Sequence, residues 1–98
     1  MQTRIKKNFD ILSKLEESTV IPFVSGGDPD VKQSTEILKS FAKNGARILE
    51  CGFNWNAPVS DGDPIQNSSY RALKNGAYIE KVFEIIKEFR KEDRKIVV

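Results

Sequence analysis

Short apolar runs rich in β-branched residues alternate along this chain with longer segments whose apolar residues recur at helical spacing. We predict strands at the runs, residues 19–24, 47–51 and 95–98. We predict helices at the longer segments, residues 4–16, 30–44, 65–76 and 78–91. Strands that alternate with helices in this way are typical of right-handed βαβ units, so we expect an α/β fold with a parallel sheet.

The length of the chain limits how much of such a fold it can form. It has 98 residues, whereas a whole (β/α)8 TIM barrel takes roughly 250. The last run, residues 95–98, is apolar and would leave an unpaired strand edge. We therefore expect residues 1–98 to be one partial TIM-barrel domain: an N-terminal helix, two βα units and the start of a third strand, incomplete as a barrel.

Charge and composition argue against several classes of function. Sixteen basic and fourteen acidic residues give a net charge of +2, which is too balanced to favour nucleic acid or an anionic membrane as partner. No run approaches the roughly 18 apolar residues that span a bilayer. The one cysteine, Cys51, cannot form an internal disulfide, so we expect a reducing compartment, the cytoplasm. Because the chain lacks histidine, we expect no metal site, and acid–base chemistry must use other residue types.

Two acidic residues follow the second predicted strand, where parallel α/β folds place their active groups. Glu50 closes an apolar strand, and we expect it to be buried, an environment that suits a proton shuttle. The alternative, which the pattern alone favours, is an ion pair with Arg47 or a loop lysine. Asp61 lies in a Ser-Asp-Gly-Asp-Pro segment, which fits either simple turn chemistry or a second acid in a different environment. The neighbouring Cys51 is interpreted as a structural thiol.

The segment from residue 52 to 64 is irregular and rich in Gly, Asn, Asp and Pro. Structureless loops of more than about 12 residues are usually functional or disordered. Trp55 within it is either an anchor against a partner chain or a plug over a barrel mouth. The glycine pair at residues 26–27 lacks the spacing of a phosphate-binding loop, and Asp30, three residues before Gln33, predicts a helix cap instead.

Four segments together resemble the tryptophan synthase alpha chain family. They are IPFVSGGDP at residues 21–29, ECG at 50–52, PVSDG at 58–62 and IQ at 65–66. The family pattern is close to I-P-F-x-T-A-G-D-P, followed by E-L-G-x-P-F-S-D-P-x-A-D-G-P-x-I-Q, and its order and spacing match without a gap. The resemblance implies a TIM-barrel carbon–carbon lyase of tryptophan biosynthesis. That enzyme cleaves indole-3-glycerol phosphate to indole and glyceraldehyde 3-phosphate by a retro-aldol reaction.

The resemblance also implies roles for particular residues. Glu50 matches the family's catalytic glutamate, and Asp61 matches the catalytic aspartate that hydrogen-bonds the indole N–H. Phe23 matches an aromatic residue of the substrate pocket. The family uses no cofactor or metal in this chain; pyridoxal phosphate is expected only in the beta chain, the partner in an alpha2-beta2 tetramer that receives indole through a tunnel.

The loop after the second strand departs from the family pattern. The resemblance places the interface with the beta chain at Asn54, Trp55, Asn56, Ala57 and Pro58. Among these positions Asn54 stands in place of the family's proline, Asn56 of serine and Ala57 of aspartate, which weakens the expected coupling to that partner. The family's phosphate-binding loops follow later strands, so we expect residues 1–98 alone to be inactive.

Two other functions fit parts of the pattern. One is another phosphate-binding TIM-barrel enzyme, against which stands the placement of Asp61 eleven residues after Glu50. The other is a non-catalytic truncated paralog that acts as an interaction module through its exposed strand edge. The altered loop at residues 54–57 is the feature that favours this second alternative.

Overall fold

The computed structural model describes residues 2–55 and 59–98, and in this part of the chain helices and strands alternate in the predicted order. The elements are α1 (Arg4–Leu15), β1 (Phe23–Ser25), α2 (Val31–Lys43), β2 (Glu50–Gly52), α3 (Asp63–Lys74) and α4 (Ile79–Glu92). The predicted α/β class with parallel strands is therefore confirmed. None of the described helices has both the length and the apolar character needed to cross a membrane.

The sheet is parallel, and its register places β1 directly beside β2. Phe23 lies opposite Glu50, Val24 opposite Cys51 and Ser25 opposite Gly52. The third predicted run, residues 95–98, pairs with the segment that leads into β2 through one parallel bridge between Ile48 and Val97, where the Leu49 N–H donates to the Val97 carbonyl at 2.8 Å. The three runs thus adjoin one another in chain order.

The first strand is shorter and later than predicted. Residues 19–24 were expected to form it, yet regular pairing covers only Phe23–Ser25. Pro22 explains where pairing begins, because its carbonyl accepts the Glu50 N–H at 2.9 Å while its ring nitrogen has no hydrogen to donate. The ladder therefore becomes regular only after the proline.

Local capping sets the helix starts. The Thr3 hydroxyl accepts the Lys6 N–H at 3.2 Å, and the Asp30 carboxylate accepts the Gln33 N–H at 2.8 Å, so the cap predicted at Asp30 is confirmed. Helix α3 begins at Asp63 rather than at the predicted Ile65, because a proline in the first turn is compatible with a helix.

The core lies between one face of the sheet and the helices α2 and α4. Its centre consists of Leu38, Leu49, Ile85 and Phe89. On α4 the helical spacing of apolar residues predicts that Ile79 and Phe83 are buried, which is wrong, since they are 50% and 58% exposed while Ile85 is fully buried. The helix is rotated so that Val82, Ile85 and Phe89 face the sheet.

Helix α1 is attached by fewer residues than its apolar pattern indicates. Four apolar residues recur along it at helical spacing, and of these only Leu12 is buried, whereas Ile5, Phe9 and Leu15 are about half exposed. The buried Asn8 supplies the second attachment, because its amide donates to the Arg4 and Lys95 carbonyls at 3.0 Å each. This bond ties α1 to the start of the third run.

Helix α3 occupies a different place from α2 and α4. It lies against the carboxyl end of β1 and the loop that follows, where its side chains form several contacts. Arg71 forms a two-pronged ion pair with Asp28, at 2.8 and 2.9 Å, and the Asn75 amide donates to the Pro29 carbonyl at 2.5 Å. This position brings α3, and the loop before it, to the end of the sheet where a barrel active site would form.

Candidate active site

Phe23 and Glu50 lie side by side on the sheet face that points away from the helical core. Side chains alternate between faces along a strand; Leu49 and Cys51 contact the core, so Glu50 between them points to the opposite face. The register pairs it with Phe23 on that same face. The structure therefore brings together two of the predicted site residues, one apolar and one acidic.

Glu50 is exposed, so the prediction that it is buried is wrong for this chain. Burial of this carboxylate requires an element packed over it, and none of the described residues covers Glu50. The alternative ion pair with Arg47 or a lysine is also absent among the described residues. The carboxylate is therefore open to solvent or to a ligand on this face.

The aromatic ring of Phe23 lies over Gly52 rather than over its own strand. A Cβ atom on Gly52 would stand 2.6 Å from Phe23 Cζ and 2.8 Å from Cε2. Gly52 is two residues beyond Glu50 on the same face of β2. The ring thus reaches toward the carboxyl end of the sheet and forms an aromatic surface next to the Glu50 position.

Asp61 is exposed in the loop that precedes α3, and the first turns of that helix hold its backbone. The Gln66 side-chain amide donates to the Asp61 carbonyl at 2.7 Å, and the Gln66 N–H donates to the Gly62 carbonyl at 3.0 Å. These bonds fix the end of the loop to α3. That Asp61 and Glu50 act together on one substrate stays a prediction.

Two serines that the sequence did not single out connect α3 to β1. Ser25 Oγ and Ser68 Oγ are 2.6 Å apart, and Ser68 Oγ also donates to the Ile65 carbonyl at 3.0 Å. Since a hydroxyl has one hydrogen, Ser25 donates to Ser68. The bond links the strand that carries Phe23 to the helix that holds Asp61, across 43 positions of sequence.

The predicted partner-facing loop is described only in part, since Asn56, Ala57 and Pro58 lie outside the described residues. The Asn54 amide points inward and donates to the Gly26 carbonyl at 2.5 Å and to the Ala77 carbonyl at 3.1 Å. Trp55 is 56% exposed and borders a groove on the outer side of α3. A partner interface at this loop stays a prediction, with Trp55 as its most accessible described side chain.

The buried position of Cys51 determines the protonation state of its thiol. It raises the pKa of Cys51 from its ordinary 9.0 to about 11, so the thiol is protonated at neutral pH. A protonated thiol is a poor nucleophile. Cys51 contacts the core beside Leu49, which agrees with the structural role predicted for it.

Comparison with known proteins places this geometry in a family. Residues 9–98 match the family model of the tryptophan synthase alpha chain. A tryptophan synthase alpha chain from Burkholderia thailandensis is 35% identical over 96 residues, which are 98% of this chain and 35% of that protein. The chain therefore spans about a third of the length of the curated relatives it matches.

Solved structures agree with the sequence comparison. The tryptophan synthase subunit alpha from Legionella pneumophila superposes with a TM-score of 0.94 at 27% identity, covering 98% of this chain and 37% of that one. A tryptophan synthase complex from Pyrococcus furiosus gives a TM-score of 0.73 at 38% identity, covering 78% of this chain and 31% of the matched chain. The described fold is therefore similar to one part of these larger chains.

Proposed function

The chain belongs to the tryptophan synthase alpha chain family, and we propose that it supplies the acid–base part of a lyase site that cleaves indole-3-glycerol phosphate. The placement of Phe23 beside Glu50 supports this proposal most directly. Both open adjacent parallel strands, on the face away from the helices, and the Phe23 ring reaches over Gly52 toward the carboxyl ends of those strands. Barrel enzymes assemble their active sites at the carboxyl end of the sheet.

Each residue has a distinct role in the proposed reaction. The Phe23 ring offers a flat apolar surface on which an indole ring can stack. Glu50 delivers a proton to the indole carbon that bears the glycerol chain and removes the proton of the adjacent hydroxyl. The carbon–carbon bond then breaks, its electron pair returns to the indole ring, and the hydroxyl carbon becomes the aldehyde. The carboxylate ends the cycle with the protonation state in which it began.

Asp61 acts on the nitrogen side of the ring. Protonation of the indole carbon leaves a positive charge that extends to the ring nitrogen, and a carboxylate that accepts the N–H hydrogen bond stabilises that charge. Gln66 holds the Asp61 backbone, so the loop presents its carboxylate from a defined position. An open and solvated Glu50 becomes effective only when further barrel strands exclude water from it.

The substrate phosphate requires binding groups that we do not assign to the described residues. Binding energy at such a remote group positions the reacting atoms, and without it the reaction slows by orders of magnitude. We therefore propose that residues 1–98 do not release indole on their own. We also propose that a tryptophan synthase beta chain docks near Trp55, since a matched structure is described as a tryptophan synthase complex.

The proposal is tested with a chimera that joins residues 1–98 to the remaining part of the Burkholderia thailandensis alpha chain, which aligns with 98% of this chain. Purified chimera is assayed for indole released from indole-3-glycerol phosphate. We expect activity in the chimera and none in residues 1–98 alone. Glu50→Gln and Asp61→Asn should each lower kcat by at least about a hundredfold, the usual contribution of a positioned acid–base group.

Matched controls separate chemistry from folding. Glu17→Gln and Asp10→Asn remove one carboxylate each from positions outside the proposed site, on α1 and just after it, and should leave kcat unchanged. A folded chimera whose Glu50→Gln and Asp61→Asn forms keep full activity would contradict the proposed function. Indole release by residues 1–98 alone would contradict the requirement for the rest of the barrel.

A further inference from the structure

Gly52 has no conformational need to be glycine, and the space above it is filled by a single side chain. It lies in a strand, outside the left-handed region in which glycine is favoured. The obstacles to a Cβ there are the outer ring atoms of Phe23, at 2.6 and 2.8 Å; the next nearest atom, the Val24 carbonyl oxygen, is 3.6 Å away. The absence of a side chain at Gly52 therefore determines where the Phe23 ring can lie.

The other glycines of this region are constrained differently. Gly27 has a φ of +91°, and a Cβ there would stand 2.1 Å from the Cβ of the buried Ala77. Its substitution would strain the backbone and push apart two packed segments. Phe23, in contrast, is 43% exposed and can turn its ring into open space. A methyl group at position 52 would therefore move the ring and leave the fold nearly unchanged.

We propose that Gly52 is a specificity-determining position, which sets the height of the Phe23 ring above the sheet and so the width of the slot for a planar bicyclic substrate. The inference rests on the proposed function, because it takes indole as the occupant of that slot. Glu50 lies on the same strand two residues earlier, so raising the ring changes the position of the substrate relative to the carboxylate. The substrate class is an indole whose ring lies flat on Phe23.

The kinetic test is a double-mutant cycle in the chimera with the Burkholderia thailandensis chain. Gly52→Ala should raise KM for indole-3-glycerol phosphate about tenfold, the low end of what one extra carbon does in an apolar pocket, with kcat within about threefold. Phe23→Leu weakens binding by itself. On that background Gly52→Ala should have no further effect, because leucine does not reach over position 52.

A structural measurement that needs no substrate accompanies the kinetics. In the 98-residue chain one α-proton of Gly52 points at the outer ring atoms of Phe23, so the ring current should displace its NMR signal from the random-coil position, and Phe23→Leu should abolish that displacement. Gly52→Ala should leave the urea midpoint almost unchanged, whereas Gly27→Ala, the matched glycine-to-alanine control, should lower it clearly.

The outcomes separate this inference from the proposed function. An unshifted Gly52 signal would overturn the role of Gly52 and leave the lyase proposal standing. The same holds if the kinetic effects of Gly52→Ala and Phe23→Leu simply multiply in an active chimera. An inactive but folded chimera would contradict the lyase proposal. The Gly52 α-proton signal would then still support or overturn the steric coupling between Gly52 and Phe23.

Discussion

The side-chain amide of Asn54 is expected to hold together two segments that are distant from it in sequence. It donates to the carbonyl of Gly26, 28 positions earlier, and to that of Ala77, 23 positions later. Asn54 is half-buried, and Ala77 is fully buried. Asn54→Ala removes both donors; each hydrogen bond contributes about 1 kcal/mol, and a buried acceptor left unpaired costs about 1 kcal/mol more. We expect the free energy of unfolding to fall by about 2–3 kcal/mol.

Asn54→Asp is the sharper perturbation because it keeps the shape of the side chain and removes its donors. At pH 7 the new carboxylate would face two carbonyl oxygens, so its cost should exceed that of Asn54→Ala by about 1 kcal/mol. This environment raises the folded-state pKa of the new carboxyl above its unfolded value of about 3.9. Its protonated form can donate again, so the variant should be most stable below about pH 4 and lose stability as pH rises through the folded-state pKa.

Urea unfolding of the purified chain, followed by far-UV circular dichroism at pH 7 and pH 4.5, measures both effects. Asn67→Ala is the matched control, because Asn67 is an exposed asparagine on α3, and its change should stay within about 0.5 kcal/mol. Equal stability of Asn54→Ala and Asn54→Asp at both pH values would refute the claim that the Asn54 amide donates inward. The claim is also refuted if both variants are as stable as the original chain.

Three further predictions concern the neighbouring contacts. Arg71→Ala should lower the urea midpoint by breaking the two-pronged pair with Asp28, and Arg71→Lys should recover only part of it, because lysine cannot bond both carboxylate oxygens in that fork; full recovery by lysine would contradict this geometry. The raised pKa of Cys51 means that only the unfolded thiol ionises between pH 9 and about 11, so stability should decline by roughly 2 kcal/mol over that window; Cys51→Ala should remove this part of the decline, and an unchanged pH profile would argue against a buried thiol. Gln66→Leu should release the Asp61 carbonyl and increase acrylamide quenching of Trp55, the one tryptophan, whereas Gln66→Lys keeps a donor and should not; equal quenching in both variants would contradict the tether.

Structural features that depend on residues close together in the sequence were predictable from the sequence. The caps at Thr3 and Asp30 follow from donors and acceptors only three residues apart, and the order of strands and helices follows from their apolar periods. Glu50 and Phe23 were identified through the family pattern, and the register then placed them side by side. Such features need no knowledge of how the segments pack.

Exposure was predicted less well, because it depends on what covers a face. Glu50 was expected to be buried, yet none of the described residues covers it. Ile79 and Phe83 fit an apolar stripe on α4, but the way that helix docks turns Ile85 inward in their place. The helical spacing of apolar residues identifies an apolar surface on the helix, whereas the surface against which the helix packs decides which part of it is buried.

The sequence by itself determined the element order, the Asp30 cap of α2 and the family motifs, because each depends on residues close together in the chain. Only the tertiary structure decided the Ser25–Ser68 bond, the Asp28–Arg71 pair and the inward turn of Asn54. These contacts join segments more than 20 positions apart, so they form only once the helices have docked on the sheet. Docking is set by the summed packing of many side chains, which no local pattern records.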